Sequence, residues 1–257
     1  MNPFNGPGGR PILPDEKYQR SIAELRKYRN VSLLGYIHAL YGKRDERELK
    51  RDIDIYHKWH EESLARGEEM GVDGVFIDEV DHAGHQKEYF KSICTHAKSK
   101  KWRTGRNGIP IPNKTHSGYV VLNPGCDCSL DYFDFADLIV LAESSYKSFI
   151  NPPWDHPSYS YLRDVPRQFG LNCMLPKFSR IKPAHKTGVV LHTLGSSYSE
   201  EQRLDEIEML VRDLVGVKRV GAIFLTNLEM DKENVYGAWS LFWREFTEIM
   251  ASASLPN

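Results

Sequence analysis

The chain has 257 residues, of which 40% are hydrophobic and 27% are charged, an ordinary balance for a globular protein. Its 34 basic and 35 acidic residues leave a formal net charge of -1, so charge gives no reason to expect nucleic acid or an anionic membrane as a partner. No apolar run approaches the roughly 18 residues of a membrane span. The length suits one large domain or two small ones, and since no linker divides the sequence we predict a single domain over 1–257.

The N-terminus and the cysteines bear on the compartment. The first 15 residues have neither a basic start nor an apolar stretch, so they do not resemble a secretory signal and the sequence as written is expected to be cytoplasmic. The four cysteines, Cys94, Cys126, Cys128 and Cys173, include no Cys-x-x-Cys pair. Free thiols in a reducing compartment are the favoured interpretation, and the count also allows one or two disulfides.

The first half of the sequence alternates helical patterns with short apolar runs. Helices are predicted from apolar residues at helical spacing, and strands from continuously apolar runs, which are typical of parallel strands covered on both faces. In order, the elements are a helix with Tyr18, Ile22 and Leu25; strand 31–37; a helix with Leu49, Ile53, Tyr56 and Trp59; strand 74–78; a helix with Phe90, Ile93, Cys94 and Ala97; and strand 118–123. The basic segment 98–117, rich in Gly and Pro, predicts an exposed loop.

The second half continues the alternation around a long excursion over 144–170. LNCMLPKF (171–178) is a candidate strand that Pro176 weakens. The other elements are strand 138–143; strand 188–193; a helix opened by a capping box of Ser199 and Gln202 and carrying Leu204, Ile207, Leu210, Val211 and Leu214; strand 221–226; and a helix with Trp239, Phe242, Phe246 and Ile249.

The repeated strand–helix pattern predicts an α/β fold with a parallel sheet. Six clear strands and one candidate in 257 residues suit a (β/α)8 barrel, and an open doubly wound sheet is the alternative. No Gly-x-Gly-x-x-Gly turn or phosphate loop follows a strand, so nucleotide binding lacks its usual support, and no cofactor is expected.

Polar residues gather at the carboxyl ends of the predicted strands, where parallel barrels place their active sites. In strand order they are Tyr36 and His38; Asp78 and Glu79; Asn123; Glu143; His192; and Thr226 with Asn227. A carboxylate directly after an apolar run has to be solvated, paired or functional, because burying it alone is costly. A salt bridge or helix cap explains any single one, whereas three carboxylates on neighbouring strand ends indicate a shared site.

Three acids at one mouth fit glycoside hydrolysis. One carboxyl group protonates the leaving oxygen while another attacks the anomeric carbon or activates water. Like charges in one pocket raise one pKa and so supply an acid at neutral pH. We therefore predict that Asp78, Glu79 and Glu143 are catalytic. Residues predicted to bind substrate are Asn2, Tyr36, His38, Tyr41, Asn123, Tyr146, His192, Thr226 and Asn227.

Other residues carry weaker signals. The loop aromatics could present faces to sugar rings, although packing explains any one of them; they are Tyr146, Trp154, Tyr159, Tyr161 and Tyr198. Asp78, His82 and His85 have residue types that could hold a metal, but a solvated loop is the simpler interpretation, and no metal site is predicted.

Several segments, in the same order along nearly the whole chain, resemble the spherulin-4 family. They are MNPFNGPG (1–8), LLGYIHALYGKR (33–44), DIDIYHKW (52–59), GVFIDE (74–79), VVLNPG (120–125), ADLIVLAES (136–144) and IFLTNLEMDKENVYGAWSLFW (223–243). The resemblance implies a relation to glycoside hydrolase family 135, with (β/α)8 barrels that act as endo-α-1,4-N-acetylgalactosaminidases on galactosaminogalactan. It implies catalytic roles for Asp78, Glu79 and Glu143, a polysaccharide as the partner, and a retaining reaction with carboxyl groups roughly 5–5.5 Å apart.

The sequence also departs from the family pattern. The resemblance places a first barrel strand ahead of Asn2, so we expect either that the N-terminus is truncated or that the barrel closes imperfectly. If the N-terminus is truncated, secretion or a cell-surface location is expected for the complete form. His38 and Ala39 stand near the family's usual Thr, and Cys126 and Cys128 follow the Asn-Pro-Gly turn. A catalytically inactive, glycan-binding or spore-associated barrel is therefore the second hypothesis.

Overall fold

The computed structural model describes residues 1–3, 5–8, 13–28, 30–66, 70–102, 116–150, 183–195, 199–230 and 234–253. The chain divides into two compact units. The first unit comprises residues 1–123 and 134–137, and the second unit comprises residues 124–133 and 138–257. Within both units the long strands are parallel, which confirms the prediction of an α/β fold; the prediction of one domain over 1–257 stays a prediction.

Three parallel strands and three helices form most of the first unit. In chain order the elements are α1 (Glu16–Leu25), β1 (Leu34–His38), a 3-10 turn (Leu40–Gly42), α2 (Glu46–Ala65), β2 (Gly74–Asp78), α3 (Lys87–Ser99), β3 (Lys101–Trp102), β4 (His116–Ser117) and β5 (Tyr119–Asn123). Strand β2 pairs with β1 on one side and with β5 on the other. His38 and Asn123 are both in register with Asp78, so the three strands end level.

The core of the first unit comes from the helix faces that the sequence predicts. Leu49, Ile53, Tyr56 and Trp59 of α2 are fully buried, as are Phe90, Ile93, Cys94 and Ala97 of α3. Burial of a large apolar side chain stabilises the folded state by about 1.5–3 kcal/mol. The amphipathic spacing therefore predicted the buried faces of these two helices correctly.

The second unit has the same plan with its own core. Its elements are a 3-10 turn (Leu130–Asp134, of which Asp134 belongs to the first unit), β6 (Leu138–Ser145), α4 (Tyr146–Ile150), a 3-10 turn (Ala184–Lys186), β7 (Thr187–His192), α5 (Glu200–Val211), a π-helical turn (Arg212–Val217), β8 (Ala222–Leu225) and α6 (Trp243–Ala253). Strand β7 lies between β6 and β8 and is parallel to both. The predicted capping box is present at the start of α5: the Ser199 hydroxyl accepts from the backbone N–H of Gln202, and the Gln202 side chain accepts from the backbone N–H of Ser199.

Two predictions about local structure were wrong. The last helix begins at Trp243 rather than near Trp239, and in the segment before it the amide of Leu241 donates to the Asn227 side chain (2.8 Å). Segment 98–117 is not all exposed loop: β3 and β4 pair, and Trp102 is buried, its indole N–H donating to the carbonyl of Ala97 (2.6 Å).

Several predictions fall outside the described residues. These are the candidate strand 171–178, the loop residues 103–115, and Trp154, Tyr159, Tyr161, Cys173 and Tyr198. None of the helices in the described ranges has the length and hydropathy of a membrane span.

The three described cysteines, Cys94, Cys126 and Cys128, are buried, and Cys94 and Cys128 are free thiols. Burial raises the pKa of Cys94 and of Cys128 to about 12. Because the thiolate is the reactive form, both thiols are expected to stay protonated and unreactive at neutral pH in the folded chain.

Gly35 in β1 allows α2 to lie directly on the strand. A Cβ atom at this position would lie 2.5 Å from Cδ2 of Tyr56. The Tyr56 ring is fully buried, and its hydroxyl donates to the carbonyls of Tyr36 (2.9 Å) and Met1 (3.1 Å). Because the ring is held at both its face and its hydroxyl, it has little freedom to move aside.

We expect Gly35→Ala to lower the free energy of unfolding by about 2 kcal/mol, since extra atoms in a packed core usually cost about 1–3 kcal/mol. Gly216→Ala is the matched control, because in the described part of the chain no atom outside its own helix backbone and immediate neighbours lies within 4 Å of the position of its added Cβ. Urea unfolding of both variants measures the difference. Equal stability of Gly35→Ala and the unmodified chain would show that this contact does not constrain the packing of α2.

Candidate active site

Asp78, the last residue of β2, is the centre of a hydrogen-bonded group in the first unit. Its Oδ1 accepts hydrogen bonds from the side-chain amide of Asn123 (2.9 Å) and from the backbone N–H of Glu79 (2.9 Å). Its Oδ2 accepts a hydrogen bond from the hydroxyl of Tyr36 (2.7 Å). Three donors on two oxygens fix the orientation of the carboxyl group. The structure thus brings three of the predicted site residues together.

The level ends of the strands explain this grouping. Asp78 and Asn123 are register partners on neighbouring strands, so their side chains meet at the same edge of the sheet. Tyr36 lies two residues before the end of β1, and its ring stacks on Phe76 at 6.3 Å between ring centroids. The polar groups of Tyr36 and Asn123 therefore hold Asp78 in place, and their assignment to substrate binding stays a prediction.

Glu79 has an unfavourable backbone conformation for a residue with a side chain. Its φ of 56° lies in the left-handed region, which costs a non-glycine residue about 1–2 kcal/mol. Its carbonyl accepts a hydrogen bond from the backbone N–H of Tyr41 (2.7 Å), which helps to hold this turn. Its Oε2 is buried and has no hydrogen-bond partner within the described part of the chain. Strain and an unsatisfied buried oxygen at a strand end are typical of functional sites.

We expect Glu79→Gly to raise the free energy of unfolding by about 1 kcal/mol, because glycine adopts positive φ without strain. If the side chain is functional, the same change abolishes activity. Arg219→Gly is the matched control: Arg219 has a φ of 54° and is exposed, so its replacement should stabilise the chain without loss of activity. Thermal unfolding and activity assays of both variants measure the two effects. Full activity of Glu79→Gly would contradict the assignment of Glu79 as a catalytic residue.

The loop after β1 carries the other predicted residues of the first unit. Tyr41 is 56% exposed and has a φ of 55°, so its ring is accessible to a ligand. A ring nitrogen of His38 lies 2.8 Å from the carbonyl of Asn5. Asn2 is exposed, and its carbonyl accepts a hydrogen bond from the hydroxyl of Tyr18 (2.7 Å). Tyr41, His38 and Asn2 remain predicted substrate-binding residues.

Glu143 is the predicted catalytic residue of the second unit, and a tyrosine holds it. The hydroxyl of Tyr236 donates to Oε1 of Glu143 at 2.6 Å, and the backbone N–H of Glu143 donates to the carbonyl of Gly125 (3.0 Å). Tyr236 was not among the predicted site residues. Tyr236 lies in the loop that follows β8, and loops after strands usually carry site residues in an α/β fold. This position was the feature of the sequence that could have indicated a role for Tyr236.

The remaining predicted residues of the second unit differ in burial and in hydrogen-bond partners. His192 is half-buried, and its Nδ1 lies 2.8 Å from the hydroxyl of Thr193, whose φ is 59°. Asn227 holds the loop after β8 through the amide of Leu241, as described above. Thr226 is fully buried, and its hydroxyl accepts a hydrogen bond from the backbone N–H of Leu228 (3.2 Å).

Tyr146 lies in the hydrophobic core of the second unit and is only 4% exposed. Packing explains its position, as it does that of the fully buried Thr226. Their assignment to substrate binding stays a prediction.

The residues whose types could hold a metal, Asp78, His82 and His85, lie at the end of β2 and in the loop after it. Across the described ranges, no three His, Cys, Asp or Glu side chains form a group that could hold a metal ion. His82 and His85 are both exposed. The carboxylate of Asp81 accepts hydrogen bonds from the backbone N–H groups of Ala83 and Gln86 (both 3.3 Å). This is the solvated loop that the sequence favours.

Two known proteins and one family profile are similar to this chain. Spherulin-4 of Physarum polycephalum is 28% identical over 153 residues, a match that covers 59% of this chain and only 38% of the length of that relative. Among solved structures, Sph3 of Aspergillus clavatus in complex with GalNAc is similar, with 28% identity and a TM-score of 0.71, over 97% of this chain and 83% of that one. The profile of the spherulation-specific family 4 matches residues 1–250. As the order of its motifs predicted, the chain belongs to the spherulation-specific family 4.

Proposed function

We propose that this chain is a glycoside hydrolase that cleaves a polysaccharide containing N-acetylgalactosamine (GalNAc), using Asp78, Glu79 and Glu143. The similarity to Sph3 supports a glycan-related function, since that protein was solved in complex with GalNAc. The finer features follow the family resemblance: α-1,4 linkages as in galactosaminogalactan, retention of configuration, and a (β/α)8 barrel.

The pair of adjacent carboxyl groups at the end of β2 is the observation that carries the proposal. Asp78 is fixed by three donors, while Glu79 is held in a strained conformation with one buried oxygen unsatisfied. A fold tolerates such features where they serve a reaction. In glycoside hydrolysis one carboxyl group donates a proton to the leaving oxygen, and a carboxylate attacks the anomeric carbon. The three acids supply the groups for both roles, and the role of each acid is left open.

Incubation of the chain with an α-1,4-linked GalNAc oligomer tests the proposal. Mass spectrometry should show shorter oligomers that accumulate with time. A β-1,4-linked N-acetylglucosamine oligomer is the matched comparison, because it has the same acetamido group in a different sugar and linkage, and it should remain intact. An unchanged GalNAc oligomer after long incubation would contradict the hydrolase proposal.

The second candidate is a glycan-binding protein without catalysis. One observation favours it: the hydrogen bonds to Asp78 come from the chain itself, as expected for a polar group with a structural role. Calorimetry separates the two candidates. Heat of binding with no product in the same sample supports the binding protein, and any steady release of product excludes it.

A further inference from the structure

Four aromatic rings of the second unit form a continuous row that starts at Glu143. The hydroxyl of Tyr236 contacts the Glu143 carboxylate, and the Tyr236 ring lies 5.5 Å from Phe224 between centroids. Phe224 is 6.3 Å from Trp243, and Trp243 is 4.7 Å from Trp239. We call these four residues, Tyr236, Phe224, Trp243 and Trp239, the aromatic row.

The row is anchored in the core through Trp243, and the residues at both of its ends are open to solvent. Trp243 packs on Phe246 at 5.7 Å, and Phe246 is only 4% exposed. Trp239 is 72% exposed and Tyr236 is 55% exposed. The contact with Trp243 orients the Trp239 ring while leaving most of its surface in water. Large aromatic side chains displayed in this way usually mark a binding surface.

The chemistry of the row suits a sugar chain. One face of a sugar ring presents several C–H groups, and the face of an aromatic ring carries partial negative charge, so the two surfaces attract while water is displaced. A polysaccharide extends beyond the linkage that reacts, so a chain bound at Glu143 needs contacts further along. The aromatic row connects Glu143, through Tyr236, with the exposed ring of Trp239 and offers such contacts.

We propose that Tyr236 and Trp239 form a subsite for a neutral glycan chain, in which Trp239 stacks on a sugar ring beyond the reacting one. The inference rests on the proposed function. Neither Tyr236 nor Trp239 was among the predicted site residues.

Trp239→Ala tests the subsite, because an exposed ring can be removed without opening a cavity. For a long GalNAc oligomer we expect the Michaelis constant to rise about tenfold, or the dissociation constant if the chain binds without cleaving. For a short oligomer that cannot reach the subsite we expect no change. Trp239→Phe should restore most of the loss. Tyr28→Ala is the matched control, because it removes another aromatic ring of 57% exposure from the first unit.

The outcomes separate this inference from the proposed function. If the unmodified chain cleaves or binds the long oligomer and Trp239→Ala does so equally well, the subsite is wrong and the proposed function stands. If Trp239→Ala weakens short and long oligomers alike, Trp239 does not act beyond the reacting sugar, and the inference is again overturned. If the unmodified chain neither cleaves nor binds the oligomers, the proposed function fails and the subsite fails with it.

Discussion

Asp78→Asn is expected to lower kcat for the GalNAc oligomer by about a thousandfold or more, because loss of a catalytic carboxylate usually has effects of this size. The fold should be unaffected. The new amide oxygen can accept the hydrogen bonds from Asn123 and the Glu79 backbone, and the new amide N–H can donate to the hydroxyl of Tyr36, which also accepts. The substitution thus removes the charge and keeps the contacts. Steady-state kinetics together with thermal unfolding measure the two effects separately.

Tyr36→Phe is the matched control for this prediction. It removes one hydrogen bond to Asp78 and leaves the carboxyl group and the contact of the ring with Phe76 in place. We expect a loss of activity of about tenfold, since Asp78 keeps two of its three donors. Asp78 would have only a structural role if Asp78→Asn retained most of the activity, or if both variants lost activity in proportion to lost stability.

Glu143→Gln is the second substitution expected to have a large effect. We expect it to lower kcat by about a thousandfold. Glutamine has nearly the shape of glutamate, and its amide can still form a hydrogen bond with the hydroxyl of Tyr236. The stability of the chain should therefore change by less than about 1 kcal/mol. Single-turnover measurements with an excess of the variant protein extend the range in which a slow rate can be followed.

The control for Glu143→Gln is Tyr236→Phe, which removes the hydroxyl and keeps the ring against Phe224. A loss of about tenfold is expected, as for other single hydrogen bonds to a charged group. Full activity of Glu143→Gln would remove this residue from the proposed mechanism, whatever Tyr236→Phe does.

Much of the fold could be predicted because it depends on patterns that are local in sequence. Six apolar runs are strands near their predicted positions, and the helix faces with Tyr56 and Phe90 are buried as their spacing indicates. The start of the last helix could not be predicted from apolar spacing, because Trp239 and Phe242 have the helical spacing and yet precede the helix, which begins at Trp243. The pairing of β3 with β4 could not be predicted either, because it joins two short segments that are separated along the chain.

The types of the residues in the candidate site could be predicted from the sequence better than the contacts that these residues make. Carboxylates at strand ends pointed to Asp78, Glu79 and Glu143, because a buried strand rarely ends in an acid without a reason. The left-handed turn at Glu79 was not predictable, since a positive φ is normally expected at glycine or asparagine rather than at glutamate. The bond between Tyr236 and Glu143 joins residues 93 positions apart, a distance at which sequence spacing carries no information.

A double-mutant cycle with Asp78→Asn and Glu143→Gln tests most directly whether the two acids serve one reaction. Residues that act in the same chemical step have strongly non-additive effects, so the double variant should lose about as much activity as either single variant, roughly a thousandfold. If the losses multiplied instead, to about a millionfold, the two residues would act independently and the central claim of a shared carboxylate mechanism would be contradicted.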